Sequence, residues 1–343
     1  MRFLNREIAG VHAAALILGA AGLASRILGV VRDRLLAAHF GAGRELDIYN
    51  AAFNIPDFMA TLFLLGGATA AILPVFQEYL DQDRERARRL MGALETLFLF
   101  GSSLLCAVAF ALAPMLMRFV VPGFSPEDQA MTAFLTRMML VSPIMLGMSG
   151  IFSVVVQSHK RFFVYAAAPI VYNLGIIFGI VALAPRMGIA GVAAGVVVGA
   201  GAHVVVQGIS ATALGFAPSI IQTLTHYSDR LRRLGGDIRG IVLVAGPRVL
   251  AVSLAQLTLV LLDAMGSRLA VGSVAVMGFA QNLYFVPVGI FGVSYATAIF
   301  PRLARAAARR RGAEFAGDLS IGIRSILFWV APVAVLTIVL RAH

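Results

Sequence analysis

Apolar residues run through this chain in long blocks, each broken by a short cluster of arginines or by a Gly, Pro or acidic turn. About nine blocks reach the roughly 20 residues that a helix needs to cross the hydrocarbon core. They lie near 12–38, 47–77, 91–117, 130–156, 163–184, 188–213, 241–264, 274–299 and 319–340. In lipid, a helix satisfies its backbone polar groups internally, so the pattern predicts an all-α, polytopic transmembrane helical bundle. A six-span first lobe is expected over 1–213 and a partial second lobe, spans seven to nine, over 241–343. Between them, 214–240 reads as a cytoplasmic amphipathic linker: Thr223 to Leu234 mixes apolar residues with Arg230, Arg232 and Arg233 before Gly235-Gly236.

The breaks alternate in charge. Arg2 and Arg6 precede the first block, and Arg84, Arg86, Arg88 and Arg89 fill the second break. Lys160 and Arg161, then Arg230 to Arg239, then Arg302 to Arg311 fill the fourth, sixth and eighth. The intervening breaks hold only Arg44, the acidic Glu127-Asp128 turn, Arg186 and Arg268. By the positive-inside rule the N-terminus is expected in the cytoplasm. A signal peptide is the competing reading of Ala21 to Ser25, but the apolar pattern resumes directly after Arg26, so an uncleaved first span is expected.

Composition agrees. The chain has 343 residues, 59% hydrophobic and 13% charged, far from a soluble domain. Its net charge of +11 is carried almost wholly by arginine, with Lys160 the one lysine. Those arginines sit between apolar blocks, which points to membrane loops and away from nucleic acid. A single cysteine, Cys106, excludes a disulfide framework and a Cys-based metal site. The six histidines show no ligand spacing, and no Walker loop or GxSxG elbow occurs. No metal or cofactor is expected, and no enzymatic activity.

The chemistry concentrates in the first two blocks. Ser25, Arg26, Arg32 and Asp33 lie inside the first, where one Arg or Asp costs roughly 2.5–3.5 kcal/mol at mid-bilayer. Arg26 and Asp33, seven apart, share a helix face at a height difference of about 10 Å. In the second block Asp47 leads, Asn54 and Asp57 flank Pro56, and Gly66-Gly67 follows. Pro and paired Gly break a membrane helix and open backbone groups to a cavity, as transport sites require. Arg26, Arg32, Ser25 and Asn54 are thus the candidate substrate-binding residues. Asp33, Asp47, Asp57 and Asp263 are candidates for charge pairing, and Gly29, Pro56, Gly66, Gly67 and Pro287 for hinges. The alternative is that the charges are structural ion pairs. Arginine suits a diphosphate because its planar fork makes bidentate, charge-assisted hydrogen bonds. The glycine faces Gly175/Gly179 and Gly191/Gly195/Gly199 read as close helix packing. A weak parallel repeat pairs Thr69 to Pro74 with Thr297 to Pro301, and Pro56 with Pro287; chance likeness is the alternative.

The run Ser25-Arg26-Ile27-Leu28-Gly29-Val30-Val31-Arg32-Asp33, with Phe40 to Gly43, Asp47 and Ala52-Phe53-Asn54-Ile55-Pro56-Asp57, resembles the opening of the MurJ (MviN) lipid II flippases. Further likeness lies in Pro122-Gly123-Phe124, Lys160-Arg161-Phe162, Pro169, Asn173 and Pro287 to Val293. The resemblance implies a two-lobed fold of the multidrug/oligosaccharidyl-lipid/polysaccharide exporter superfamily, rocking about a central cavity. It implies a lipid-linked diphosphate as substrate, carried between leaflets of the bacterial inner membrane, with membrane lipids and cell-wall synthesis proteins as partners. It also implies that Arg26 and Arg32 hold the diphosphate, with Ser25 and Asp47 beside it. Two positions depart from the family: Phe58 to Thr61 lacks its arginine, and Gln281-Asn282 stands where it often carries Asp-Arg. The chain also ends near its ninth span, as a fragment, a truncated gene or a short relative would. Alternatives to a lipid II flippase are an exporter of another lipid-linked saccharide and a transport-dead scaffold for wall synthesis.

Overall fold

A computed structural model of the chain describes residues 11–62, 68–217, 243, 250–293, 295, 296, 299, 303, 306 and 311–340. Every regular element among them is helical. In order they are α1 (Val11–Phe40), α2 (Arg44–Ala52), α3 (Asn54–Ala60), α4 (Ala68–Gln82), α5 (Arg84–Val120), α6 (Pro126–Met139), α7 (Val141–Ser158), α8 (Phe162–Phe178), α9 (Ala184–Met187) and α10 (Ile189–Ala213). Then come α11 (Leu250–Gly266), α12 (Ser273–Pro287) and α13 (Gly312–Leu340). Among the described residues, six helices are long and apolar enough to cross a membrane: Arg84–Val120, Pro126–Ser158, Phe162–Met187, Ile189–Ala213, Ser273–Gly292 and Gly312–Val339. The expectation of about nine spans counts α1, the α2–α4 segment and α11 in addition. The expected linker lies outside the described residues from 218 onward, as do Arg2, Arg6, Gly66, Gly67 and Pro301.

The chain divides into two compact units, Met1–Val276 and Met277–His343. Within the first, local signals set the helix ends. Gly41, at φ +62°, closes α1 and donates its N–H to Ala37, the left-handed cap that glycine favours. Asp83 starts α5 by accepting from Glu85 N–H, and Ser125 starts α6 by accepting from Asp128 N–H, with Pro126 at the first helical position. At the end of α10, Gly215 turns left-handed at φ +83°, and the N–H of Phe216 returns to Ala211. Phe216 is thereby buried against Phe76, and Arg84 and Arg88 donate to the last carbonyls, those of Leu214 and Gly215.

Packing follows the same logic. A core of Phe76, Leu90, Met91, Phe152 and Val155 joins α4, α5 and α7. α8 meets α10 through glycine: a Cβ on Gly179 would stand 2.6 Å from the Cα of Gly195, and one on Gly175 would collide with Gly199. Small residues at this spacing let two backbones touch, which is how membrane helices associate without a hydrophobic driving force between them. The pair carries α1 on its other side, since α8 packs against both α1 and α10.

In the second unit a π-helical stretch, Val288–Val293, follows Pro287. The ring of Trp329 on α13 stacks on Phe291 at 5.4 Å and donates its indole N–H to Tyr295.

Candidate functional site

Four helices of the first unit carry the candidate polar side chains, in several separate sets of contacts. α1 contributes Ser25, Arg26, Arg32 and Asp33; α2 contributes Asp47 and Tyr49; α3 contributes Asn54 and Asp57; α8 contributes Tyr172 and Asn173. α2 and α3 are separate helices because the chain breaks at Phe53. Pro56 falls in the first turn of α3, where its missing N–H removes no helical hydrogen bond.

Arg32 pairs with its sequence neighbour. Its Nε and Nη2 both donate to Asp33 Oδ1, at 3.0 and 2.8 Å. The side edge of the guanidinium is thus occupied. The end-on edge, at Nη1, makes no hydrogen bond among the described residues and can receive an oxyanion. Arg26, six residues earlier on α1, is half-buried.

Ser25 is tied to α8. Asn173 donates its amide to Ser25 Oγ at 3.1 Å, and lies within reach of the carbonyls of Ser25 and Pro169. Asn173 is itself buried. It fixes the height of α1 against the glycine-packed α8–α10 pair.

Asp47 goes elsewhere. It is 1% exposed and accepts from the N–H of Gly272 at 2.7 Å and of Ala275 at 2.8 Å. Ala275 N–H is the donor that an N-cap side chain would take at the start of α12, and Gly272 N–H the one that a Glu or Gln three residues on would take; Gly272 and Ala275 have no such side chains to offer. A carboxylate from a remote helix fills the role, where the helix dipole favours negative charge. Gly272 sits at φ +93°, and a Cβ there would collide with the carbonyl of Ala42. Arg44 lies 4.0 Å from Asp47 and 3.3 Å from Asp128, with its guanidinium over the Phe124 ring.

Two further ties hold the same segment. Asn54 donates to Asp263 Oδ2 at 2.7 Å and to the carbonyl of Ala51. Ser267 Oγ accepts from Gly123 N–H at 3.1 Å, and a Cβ on Gly123 would stand 2.5 Å from the Ser267 carbonyl carbon. The end of α11 and the start of α12 are therefore docked onto the α1–α2 turn, α3 and the α5–α6 turn. Of the charge-pairing candidates, Asp47 and Asp263 serve this junction, and Asp33 serves Arg32.

Asp57 differs from all of these. Its carboxylate accepts no hydrogen bond from the described residues and its side chain is exposed, yet it lies within electrostatic range of Arg32, Tyr49 and Tyr172. Tyr49 is 3% exposed, its ring edge-on to Phe53 at 5.0 Å. Neither its hydroxyl nor that of Tyr172 has a hydrogen-bond partner among the described residues. These two tyrosines were not legible as site residues. The one available signal is position: Tyr172 lies mid-way along a span, away from the interfacial belt where tyrosine usually sits.

Gly29 lies within α1 and a Cβ there would meet nothing within 4 Å. Pro287 ends α12 at the edge of the π-helical stretch. No group of three His, Cys, Asp or Glu able to hold a metal occurs among the described residues.

Residues 36–342 match the family model described as Lipid II flippase MurJ. The chain is 28% identical over 312 residues to a protein of Borreliella burgdorferi named probable lipid II flippase MurJ, covering 91% of this chain and 60% of that protein. It is 27% identical over 321 residues to the lipid II flippase MurJ of Burkholderia cenocepacia, covering 91% of this chain and 60% of that one. A solved structure described as lipid II flippase MurJ in an inward closed conformation shares the fold, with a TM-score of 0.75 and 22% identity over 95% of this chain and 65% of that chain. The chain thus spans 60% of the length of these two curated relatives.

Proposed function

Because the chain belongs to the MurJ lipid II flippase family, we propose that it moves a polyprenyl-diphosphate-linked peptidoglycan precursor, lipid II, from the inner to the outer leaflet of the bacterial inner membrane by alternating access. The observation that carries this reading is the open end-on edge of Arg32, a guanidinium held in place by Asp33 and still able to take an oxyanion. Arg26 is the second diphosphate ligand in this reading. Ser25, fixed by Asn173, sets the height of α1.

The docked α11–α12 junction acts as the outer seal. With the N-terminus cytoplasmic, the α1–α2 and α5–α6 turns face outward, so Asp47, Asn54 and Ser267 close that side while the cargo enters from within. Opening outward breaks these hydrogen bonds together. Asp33 occupies Arg32 when no cargo is bound, which resets the carrier. The membrane potential adds a drive of roughly 2.3 kcal/mol per charge per 100 mV for any charge that crosses.

The test is complementation of a bacterium depleted of its own lipid II flippase, with membrane insertion checked for each variant. Growth with the wild type and none with Arg32→Ala or Arg26→Ala is expected. Rescue by both alanine variants, or failure of a well-inserted wild type, overturns the reading. A second reading, a carrier of another lipid-linked saccharide or a transport-dead scaffold, is favoured by the absence of arginine from Phe58 to Thr61 and at Gln281-Asn282. Competition between lipid-linked substrates separates the first of these, and tolerance of alanine at Arg26 and Arg32 the second.

A further inference from the structure

His203 of α10 is an ionisable side chain at membrane depth that serves neither the cargo nor the outer junction. Its ring Nδ1 lies 2.7 Å from Ser149 Oγ of α7, and that hydroxyl also reaches the carbonyl of His203 at 3.3 Å. Ser149 is fully buried and His203 half-buried. Ser149 stands nine residues before the end of α7, and His203 ten before the end of α10. At about 1.5 Å per residue both lie about 14–15 Å from those ends, half of a hydrocarbon core roughly 30 Å thick. One turn further along α10, Gln207 is 1% exposed, and its Oε1 has no hydrogen-bond partner among the described residues. Residues four apart are neighbours on one helix face. A buried acceptor left empty is costly and calls for a donor.

We propose that His203 is a proton-binding site loaded in the transport cycle, with Ser149 Oγ and Gln207 Oε1 as acceptors for the two ring N–H groups of its imidazolium. The inference rests on the flippase reading and adds a coupling ion to it. Serine suits both states of the ring, because a hydroxyl donates or accepts. With Nδ1 bare, the hydroxyl donates to it. With Nδ1 protonated, the ring donates to Oγ and the hydroxyl turns to the His203 carbonyl. Rotation of the Gln207 amide brings Oε1 to the second N–H. An acceptor holds a charged donor about twice as strongly as a neutral one, so the pair favours the protonated ring. The proton comes from water and returns to water, and only an N–H bond forms and breaks. Ser153 and Gln157 continue the polar positions of α7 at four-residue steps toward the end that carries Lys160 and Arg161, with Gln157 donating to Ser153 Oγ at 3.4 Å.

No fixed counter-charge holds His203 in one state. The elements packed on α10 are α2, α6, α7, α8, α9 and the π-helical stretch Gly179–Leu183. α7 and the π-helical stretch contain no ionisable residue. The tyrosines of α2 and α8 are phenols, uncharged at physiological pH; Tyr172 lies against Gly199, one turn from His203. Arg44 is taken by Asp128, Asp47 by α12 and Arg137 by the carbonyl of Phe110. Glu45, Glu127 and Arg186 are exposed near helix ends. Among the described residues none of these groups hydrogen-bonds or ion-pairs with His203.

The test uses the full chain, labelled with nitrogen-15 at histidine, in lipid nanodiscs. NMR follows the ring nitrogens between about pH 8 and about pH 5, the range in which histidine changes charge. His203→Asn identifies the signal by its loss. His203 is expected to take one proton and to show two N–H groups toward the acid end. In Gln207→Leu its proton affinity falls about tenfold, the size of one hydrogen bond to a charged group. Ser149→Ala carries the same expectation and serves if a melting curve shows that Gln207→Leu does not fold. A ring that stays neutral throughout overturns the proton site. So does an affinity unchanged in Gln207→Leu, the result for an Oε1 satisfied by water alone. Proteoliposomes holding fluorescent lipid II, with the membrane potential clamped, then read flipping with and without a pH gradient. A rate that responds to the gradient in wild type and not in His203→Asn is expected. Wild-type flipping indifferent to the gradient overturns the coupling and leaves the flippase reading standing. No flipping by a folded wild type overturns the flippase reading and the coupling with it, while the NMR result still decides whether His203 binds a proton.

Discussion

Asp47 Oδ2 accepts a 2.7 Å hydrogen bond from the main-chain N–H of Gly272, 225 residues further along the chain. Through this contact and its partner at Ala275, one buried carboxylate both caps α12 and fastens it to the α1–α2 turn. Asp47→Asn keeps the shape but leaves a single acceptor oxygen for two N–H groups and removes the charge facing the helix dipole. A loss of about 1–3 kcal/mol is expected, with Asp47→Ala losing more. Thermal unfolding of the purified variants measures both.

Gly272 and Gly29 separate two uses of glycine. Gly272→Ala forces a side chain into a left-handed backbone against the carbonyl of Ala42. It is expected to destabilise by about 1–3 kcal/mol, seen as a lower melting temperature. Gly29→Ala meets open space inside a helix and is expected to stabilise by up to about 1 kcal/mol. If Gly29 is a hinge, the same variant transports more slowly although it melts higher.

Arg32→Lys distinguishes a fork from a point charge. Lysine keeps the charge but cannot hold Asp33 on one edge and an oxyanion on another. Complementation by Arg32→Lys is expected to fall almost as far as that of Arg32→Ala. Rescue to wild-type growth by lysine shows that charge alone suffices.

Ser25 and Asn173 give a double-mutant cycle. Their side chains meet at 3.1 Å between α1 and α8. Each single alanine variant is expected to lose about 1 kcal/mol, and the cycle to return a coupling of roughly 0.5–1.5 kcal/mol. Urea or thermal unfolding reads the energies, and a coupling near zero shows that the contact does not hold α1 in place.

The local features were open to reading along the chain. Arg32 and Asp33 are adjacent, so their pairing needs only a side-chain rotation. Pro56 marks the first turn of a helix, where its missing N–H costs nothing. The glycines at 175, 179, 191, 195 and 199 announced a close approach, and α8 and α10 meet there. What could not be read was which distant group each polar residue would find. Asp47 looked like a partner for the arginines of α1, and the fold gives it two main-chain N–H groups of α12. Asn54 looked like a cargo ligand, and it donates to Asp263, 209 residues away.

The sequence by itself determined that the chain is a helical membrane protein with buried charge near its start. Apolar length decides whether a segment can span, and the bilayer demands that backbone hydrogen bonds close within it. Only the tertiary structure decided that Asn173 of α8 would hold Ser25 of α1, and that Asp47 would accept from the N–H groups that open α12. Helical periodicity tells which residues share a face, but the residue opposite is set by how α1, α2, α3, α8 and α12 pack, and that depends on contacts between segments far apart in the chain.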